Sequence, residues 1–190
     1  MVEAQDTYEL YNIEIVNVVA STGIGQEINL KQALLALDGA DYDPKRFPGL
    51  VYRTKDPKTA ALIFRSGKIV CTGARSIDDS YSGLENVFQS LRNIGIDVKA
   101  TPEIKVQNIV ASADLHAVLN LNSIALGLGM ENVEYEPEQF PGLVYRLSKP
   151  KVVVIIFGSG KLVVTGGRVP EDAANAVDQI VKQLKSLSLM

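Results

Sequence analysis

Residues 47–75 read FPGLVYRTKDPKTAALIFRSGKIVCTGAR, and residues 140–168 read FPGLVYRLSKPKVVVIIFGSGKLVVTGGR. The two stretches align without a gap at an offset of 93 residues, and 18 of the 29 positions are identical. A match that long inside one chain is a duplication, and its period is that of a half-domain rather than a solenoid unit. The 190 residues therefore read as a duplicated α+β unit with internal two-fold pseudo-symmetry.

Working outward, three apolar segments in each stretch (50–54, 60–65 and 68–72; 143–147, 152–157 and 161–165) are separated by hairpin-sized breaks and predict an antiparallel meander. Upstream, 9–20 and 103–111 are rich in Ile and Val and predict a long strand. Helical spacing follows at 29–37 and, in the second half, at 114–126. Short strands are expected at 40–43 and 133–135. Helices at 77–94 and 170–187 close the two halves, with Asp78 and Asp79 favouring the start of the first and Pro170 suited to a first turn. Each half thus reads β-α-β-β-β-β-α, ten strands and four helices in all. The boundaries are a short frayed arm at 1–8, a first repeat at 9–95 and a second at 96–190, sharing one structural domain.

The net charge of −3 conceals its own distribution. Residues 45–75 hold eight Lys and Arg against one acid, Asp56, and residues 140–168 hold five against none. A basic footprint on an acidic body suits a polyanion binder, although solvated lysines at hairpin turns would give the same count.

Side chains alternate across a strand. Val70 and Thr72 share a face, as do Val163 and Thr165, opposite Ile69, Cys71, Leu162 and Val164. Leu62 and Phe64 pair off in the same way, as do Ile155 and Phe157. In the long strands Asn17 goes with Val19, and Asn108 with Val110. Both sheet faces are therefore largely apolar, while two helices per half cover one. The other face is buried in a sandwich or a dimer, or it is an interaction surface. The minor groove of DNA fits such a surface: acceptors on its floor, apolar sugar walls, phosphate edges, and steps between which Phe can wedge.

At these residues the sequence resembles the TATA-box-binding protein family of archaea and eukaryotes, the type case of minor-groove wedge binding. The motifs are YDPKRFPGLVYR with FRSGKIVCTGAR, and EPEQFPGLVYR with FGSGKLVVTGGR, and the resemblance covers about residues 8–187. It implies a saddle: a curved ten-stranded antiparallel sheet, its concave face on DNA, with four helices on the convex face. It implies intercalating pairs Phe47 with Phe64 and Phe140 with Phe157, and base-reading Asn17, Asn108, Thr72 and Thr165. It further implies groove-lining Val19, Val70, Val110 and Val163, and phosphate contacts from Arg53, Lys68, Arg75, Arg146, Lys161 and Arg168. The acidic stretch before Phe140 would meet a TFIIB-type factor (TFB in archaea) through Glu136 and Glu138, with RNA polymerase recruited indirectly. A general transcription initiation factor of archaeal type, acting on double-stranded promoter DNA in a cytoplasm with its nucleoid, is the expected role. Free of DNA, it is expected to be able to dimerise through the concave face. Arg65 against Gly158, and Lys45–Arg46 against Glu138–Gln139, leave the two ends unequal.

Other classes fare worse. No run approaches the roughly 18 apolar residues of a membrane span, and MVEAQDTYEL lacks the basic and apolar regions of a secretory signal. Cys71 and His116 stand alone of their kinds, so no zinc site or Cys/His dyad can be assembled, and neither an enzyme nor a cofactor is expected. His116 reads as a packing residue on the second half's first helix. GSGK at 158–161 lacks the full phosphate-loop pattern and precedes a strand, so it reads as a hairpin turn. Remaining alternatives are a module of the same fold binding an apolar small molecule or a protein, and a paralogue reading another promoter element. An open two-fold surface argues against the small molecule, which needs an enclosed pocket.

Overall fold

A computed structural model describes residues 4–99 and 102–190. In chain order its elements are α1 (Ala4–Leu10), β1 (Glu14–Gly23), α2 (Leu30–Ala36), β2 (Leu50–Lys55), β3 (Lys58–Ile63), β4 (Lys68–Ala74) and α3 (Ile77–Asn93). They continue as β5 (Lys105–Asp114), α4 (Leu121–Leu128), β6 (Val133–Glu134), β7 (Leu143–Ser148), β8 (Lys151–Ile156), β9 (Lys161–Gly167) and α5 (Glu171–Ser186). All described strand pairs are antiparallel, as the meander pattern predicts. The chain forms two compact units, Asn17–Gln107 and Met1–Val16 with Asn108–Met190.

In the unit 17–107 the strand order is β2-β3-β4-β1. Alternation is strict along β4: Ile69 and Cys71 are fully buried, while Val70 and Thr72 are half-exposed. The buried set meets Leu84, Val87, Phe88 and Leu91 from α3, four positions at helical spacing, and these residues form one core. Ser76 caps α3 by accepting from the backbone N–H of Asp79 at 2.9 Å, and Asp78 and Asp79 complement the positive end of the helix. In the other unit the order is β5-β9-β8-β7-β6. There Val154, Ile156, Leu162 and Val164 pack beneath Val177, Ile180 and Leu184 of α5. Burying a row of such side chains stabilises by roughly 1.5–3 kcal/mol each, so the helix-covered face supplies most of each core.

Several expectations from the sequence are revised. The arm expected at 1–8 is, from Ala4 on, helix α1, which runs to Leu10 and so displaces the start of the long strand from residue 9 to Glu14. Tyr11 and Ile13 are buried, and the Tyr8 hydroxyl donates to the Pro170 carbonyl at the start of α5; these anchors order a segment that looks polar in sequence. The long strand continues through Ser21, Thr22 and Gly23, because the ladder to β4 holds them there. The strand expected at 40–43 shrinks to a single bridge, Asp41 to Val51, leaving nine strands among the described residues, with five helices. The helix expected from residue 114 begins only at Leu121. Before it, Leu115 and Leu119 donate backbone N–H groups to the carbonyls of Gly160 and Gly158, pinning 115–119 to the β8–β9 turn. His116 is consequently not a packed helical residue. It sits exposed at φ 54°, its backbone N–H on the Asp114 carboxylate at 2.8 Å.

Candidate nucleic-acid interface

Strand register assembles the uncovered face one row at a time. In the unit 17–107, Val51 lies opposite Leu62 and Leu62 opposite Val70, while Arg53 lies opposite Ala60 and Ala60 opposite Thr72. In the other unit the rows are Val144, Ile155, Val163 and Arg146, Val153, Thr165. Apart from the exposed arginines, every member is partly exposed, whereas most of the strand residues that alternate with them are buried. Lys68 and Lys161 continue the rows of Val70 and Val163 to the strand ends, since they lie two residues upstream.

At one end of each face stands an aromatic pair. Phe47 and Phe64 meet edge to face with centroids 5.8 Å apart, Phe140 and Phe157 with centroids 6.1 Å apart. Phe47 keeps 37% and Phe140 42% of its surface in water. That exposure is a cost for a phenyl ring with nothing to cover it. Space for the pair comes from the third residue of each FPG: a Cβ on Gly49 would lie 2.7 Å from the Phe47 ring, and one on Gly142 equally close to Phe140.

Near the first strand of each unit, Asn17 and Asn108 occupy equivalent settings. Asn17 Oδ1 accepts from the backbone N–H of Gly73 at 2.7 Å, and its Nδ2 donates to Thr72 Oγ1 at 3.3 Å. Asn108 Oδ1 accepts from Gly166 N–H at 2.7 Å, and its Nδ2 donates to Thr165 Oγ1 at 3.2 Å. Register slips by one residue beside both, between Val18 and Ala20 and between Ile109 and Ala111, so Val19 and Val110 each face a β-bulge whose two residues are Thr72 and Gly73 in β4 or Thr165 and Gly166 in β9. An Asn is ill suited to mid-strand; here the amide replaces ladder partners that the bulge removes.

The six expected phosphate cations Arg53, Lys68, Arg75, Arg146, Lys161 and Arg168 are all exposed. They are not equivalent. Arg146 donates through Nη2 to Glu134 Oε1 at 2.9 Å and through Nε to the same oxygen at 3.3 Å. Glu136 and Glu138 are exposed in the turn before Phe140, whose backbone N–H donates to the Glu136 carbonyl. Burial pushes the Cys71 thiol up from its ordinary value, a hydrogen bond from Thr59 partly opposing it, and the side chain lies on the helix-covered side. Among the described residues no three His, Cys, Asp or Glu side chains gather as a metal site, and no helix is long and apolar enough to cross a membrane.

The Phe, Val, Asn and Thr residues expected from the sequence are thus partly or fully exposed in two matching sets, while the six cations and Glu136 and Glu138 are exposed. The sequence reading missed Val51 and Val144 as face residues, though alternation from Arg53 and Arg146 signals them. It missed the Glu134–Arg146 pair, which has no sequence signal. It also passed over Gly73 and Gly166, whose signal is a Thr-Gly inside each last strand.

The family described as transcription factor TFIID, or TATA-binding protein, matches the chain over residues 12–94 and again over 103–187. The chain is 65% identical to the TATA-box-binding protein of Natronomonas pharaonis over 98% of both chains. It is 61% identical to that of Archaeoglobus fulgidus over 95% of this chain and 98% of the other. Among solved structures it is similar to the Methanococcus jannaschii TBP, at a TM-score of 0.82 and 53% identity, covering 92% of this chain and 98% of that one. With its two family matches falling on the two copies of the repeat, the chain belongs to the TATA-box-binding protein family.

Proposed function

We propose that the chain is a general transcription initiation factor that binds the minor groove of A·T-rich TATA-box promoter DNA and kinks it. The observation that carries the reading is the duplicated uncovered face: an apolar strip, a Phe pair at its end, an Asn–Thr couple beside its bulge, and cations on its margin, all occurring twice. The apolar rows match sugar walls, and Asn17, Thr72, Asn108 and Thr165 match the acceptors of the groove floor. Phe47 with Phe64 and Phe140 with Phe157 act as wedges, opening a step at each end. Lys68, Arg75, Lys161, Arg168, Arg53 and Arg146 position the duplex through phosphates. The two repeats, 9–95 and 96–190, serve as one DNA-binding domain, and the work is done in the nucleoid.

Glu136 and Glu138 form a small acidic knob that suits a basic patch on a TFIIB-type factor, through which RNA polymerase is recruited. Left without DNA, the apolar face favours self-association. The deciding experiment is a fluorescence bending assay on a TATA-containing duplex and a G·C-rich duplex. Binding with strong bending of the first alone is expected; equal binding without bending overturns the proposal.

A further inference from the structure

Each asparagine on the uncovered face is held by a group that has no choice of role. A backbone N–H can only donate, so Gly73 N–H at 2.7 Å requires Oδ1 of Asn17, not Nδ2, to point inward. One Nδ2 hydrogen then goes to Thr72 Oγ1 at 3.3 Å, and the other is left for the open face. Thr72 Oγ1 also lies 3.4 Å from Oδ1, to which its hydroxyl can donate, so the threonine braces the amide and the remaining Nδ2 hydrogen is the donor offered to the face. The same chain of bonds runs from Gly166 N–H through Asn108 to Thr165, at 2.7 and 3.2 Å. A side-chain amide otherwise presents donor or acceptor with equal ease by rotating half a turn.

We propose that Gly73 and Gly166 are positioning residues for base specificity. Their N–H groups lock Asn17 and Asn108 with Nδ2 toward the groove, and so enforce A·T over G·C. The inference rests on the minor-groove reading above and deepens it. An outward-facing amide donor in each unit suits the A N3 and T O2 acceptors, and it collides electrostatically with the guanine N2 amino group, which is itself a donor. Were the amide free to flip, its oxygen would accept from guanine N2 and the discrimination would fade.

Glycine is needed for the lock because of backbone geometry. Gly73 has φ +90° and Gly166 φ +98°, in the region L side chains rarely adopt. The need is not one of space: a Cβ on Gly73 would have its nearest neighbour at 3.8 Å, and one on Gly166 at 3.5 Å. An alanine there would fit, but it would draw φ back toward negative values and carry the N–H away from Oδ1.

The test compares duplexes with A·T, G·C or inosine·C at the base pairs facing the couples; inosine·C lacks the guanine N2 amino group. Wild-type protein should bind A·T and inosine·C alike and G·C at least tenfold more weakly, the range for one misread pair. Gly73→Ala with Gly166→Ala should bind A·T more weakly and lose most of the A·T to G·C ratio while still melting cooperatively. Gly73→Asn with Gly166→Asn, which tolerates positive φ, should restore the ratio; a purely structural role for the glycines would not move it. A ratio unchanged in a folded alanine variant overturns the lock. Absence of any A·T preference in the wild type would instead overturn the minor-groove reading itself. Should the alanine variant fail to fold, the asparagine variant decides: a wild-type ratio supports the lock, and a lost ratio despite native melting overturns it.

Discussion

Replacing Phe157 by Ala separates a wedge from a core residue. In the folded chain the Phe157 ring touches Phe140 edge to face and is half-exposed on the open face of the sheet. An edge-to-face pair contributes about 0.5–1.5 kcal/mol. Half of the burial worth of a Phe side chain adds roughly 1 kcal/mol. Phe157→Ala should therefore destabilise by about 1.5–2.5 kcal/mol, which for a chain of this size lowers Tm by roughly 3–10 °C. Phe88 provides the contrast: it is 1% exposed beneath α3, and its truncation should cost about 3–5 kcal/mol and roughly twice the melting shift. On DNA the order reverses. If the ring holds an unstacked step open as proposed, Phe157→Ala should lose about tenfold or more in affinity and much of the bend at one end, since unstacking a step costs a few kcal/mol that must be regained by contacts. Differential scanning calorimetry supplies the first comparison and a fluorescence bending assay the second. If Phe157→Ala melts as low as Phe88→Ala, or bends the duplex like wild type, the ring is core and the face assignment is wrong.

Other consequences follow from single contacts. If Arg146 contacts phosphate as proposed, Glu134 competes for it, so Glu134→Gln should tighten DNA binding and steepen the dependence of log K on log[salt] by about one unit, which Glu131→Gln, an equal change of charge at an exposed position, should not reproduce in a salt titration. Gly142→Ala would place a Cβ 2.7 Å from both the Phe140 ring and Ile155, displacing the aromatic pair; bending should fall at that end while Tm drops little, and intact bending would show that the rings need no such clearance. Burial raises Cys71 above its ordinary 9.0, and burial with the nearby Glu171 and Asp172 raises Tyr8 above its ordinary 10.0. Both groups hold protons more tightly when folded, so their contribution is complete below about pH 9 and is lost as pH climbs through the raised folded values. Melting temperatures measured from pH 8 to 11 should fall from about pH 9, with a later onset in Cys71→Val; a flat profile to pH 10.5 would contradict the assignment.

Much of the fold was legible in the sequence, and the reason is the alternation of the strands. The period-2 pattern of β3, β4, β8 and β9 is strict enough to sort Val70 from Cys71 and Ile155 from Ile156 without coordinates, and burial follows that sorting residue by residue. Where periodicity was weak the reading slipped. The stretch 115–120 has helical apolar spacing, yet the N–H groups of Leu115 and Leu119 are taken by the carbonyls of Gly160 and Gly158, a long-range pairing that local pattern does not record. Residues 4–10 look like a polar arm because their stabilising partner, the start of α5, lies some 160 residues away; the Tyr8 to Pro170 bond spans 162.

The doubled FPGLVYR and SGK…TG stretches by themselves determined that the chain is a tandem repeat, that each half carries a meander with one surplus apolar face, and that cations border it. These are properties of composition and period, and they survive any detail of packing. Tertiary structure alone decided which cation is already engaged, that the phenylalanines meet as pairs over a glycine, and which way the two asparagine amides point. Such facts depend on groups far apart in the chain meeting within 3 Å, as Asn17 meets Gly73 and Asn108 meets Gly166. A backbone N–H brought to that distance dictates the orientation of an amide whose name in the sequence leaves both orientations open.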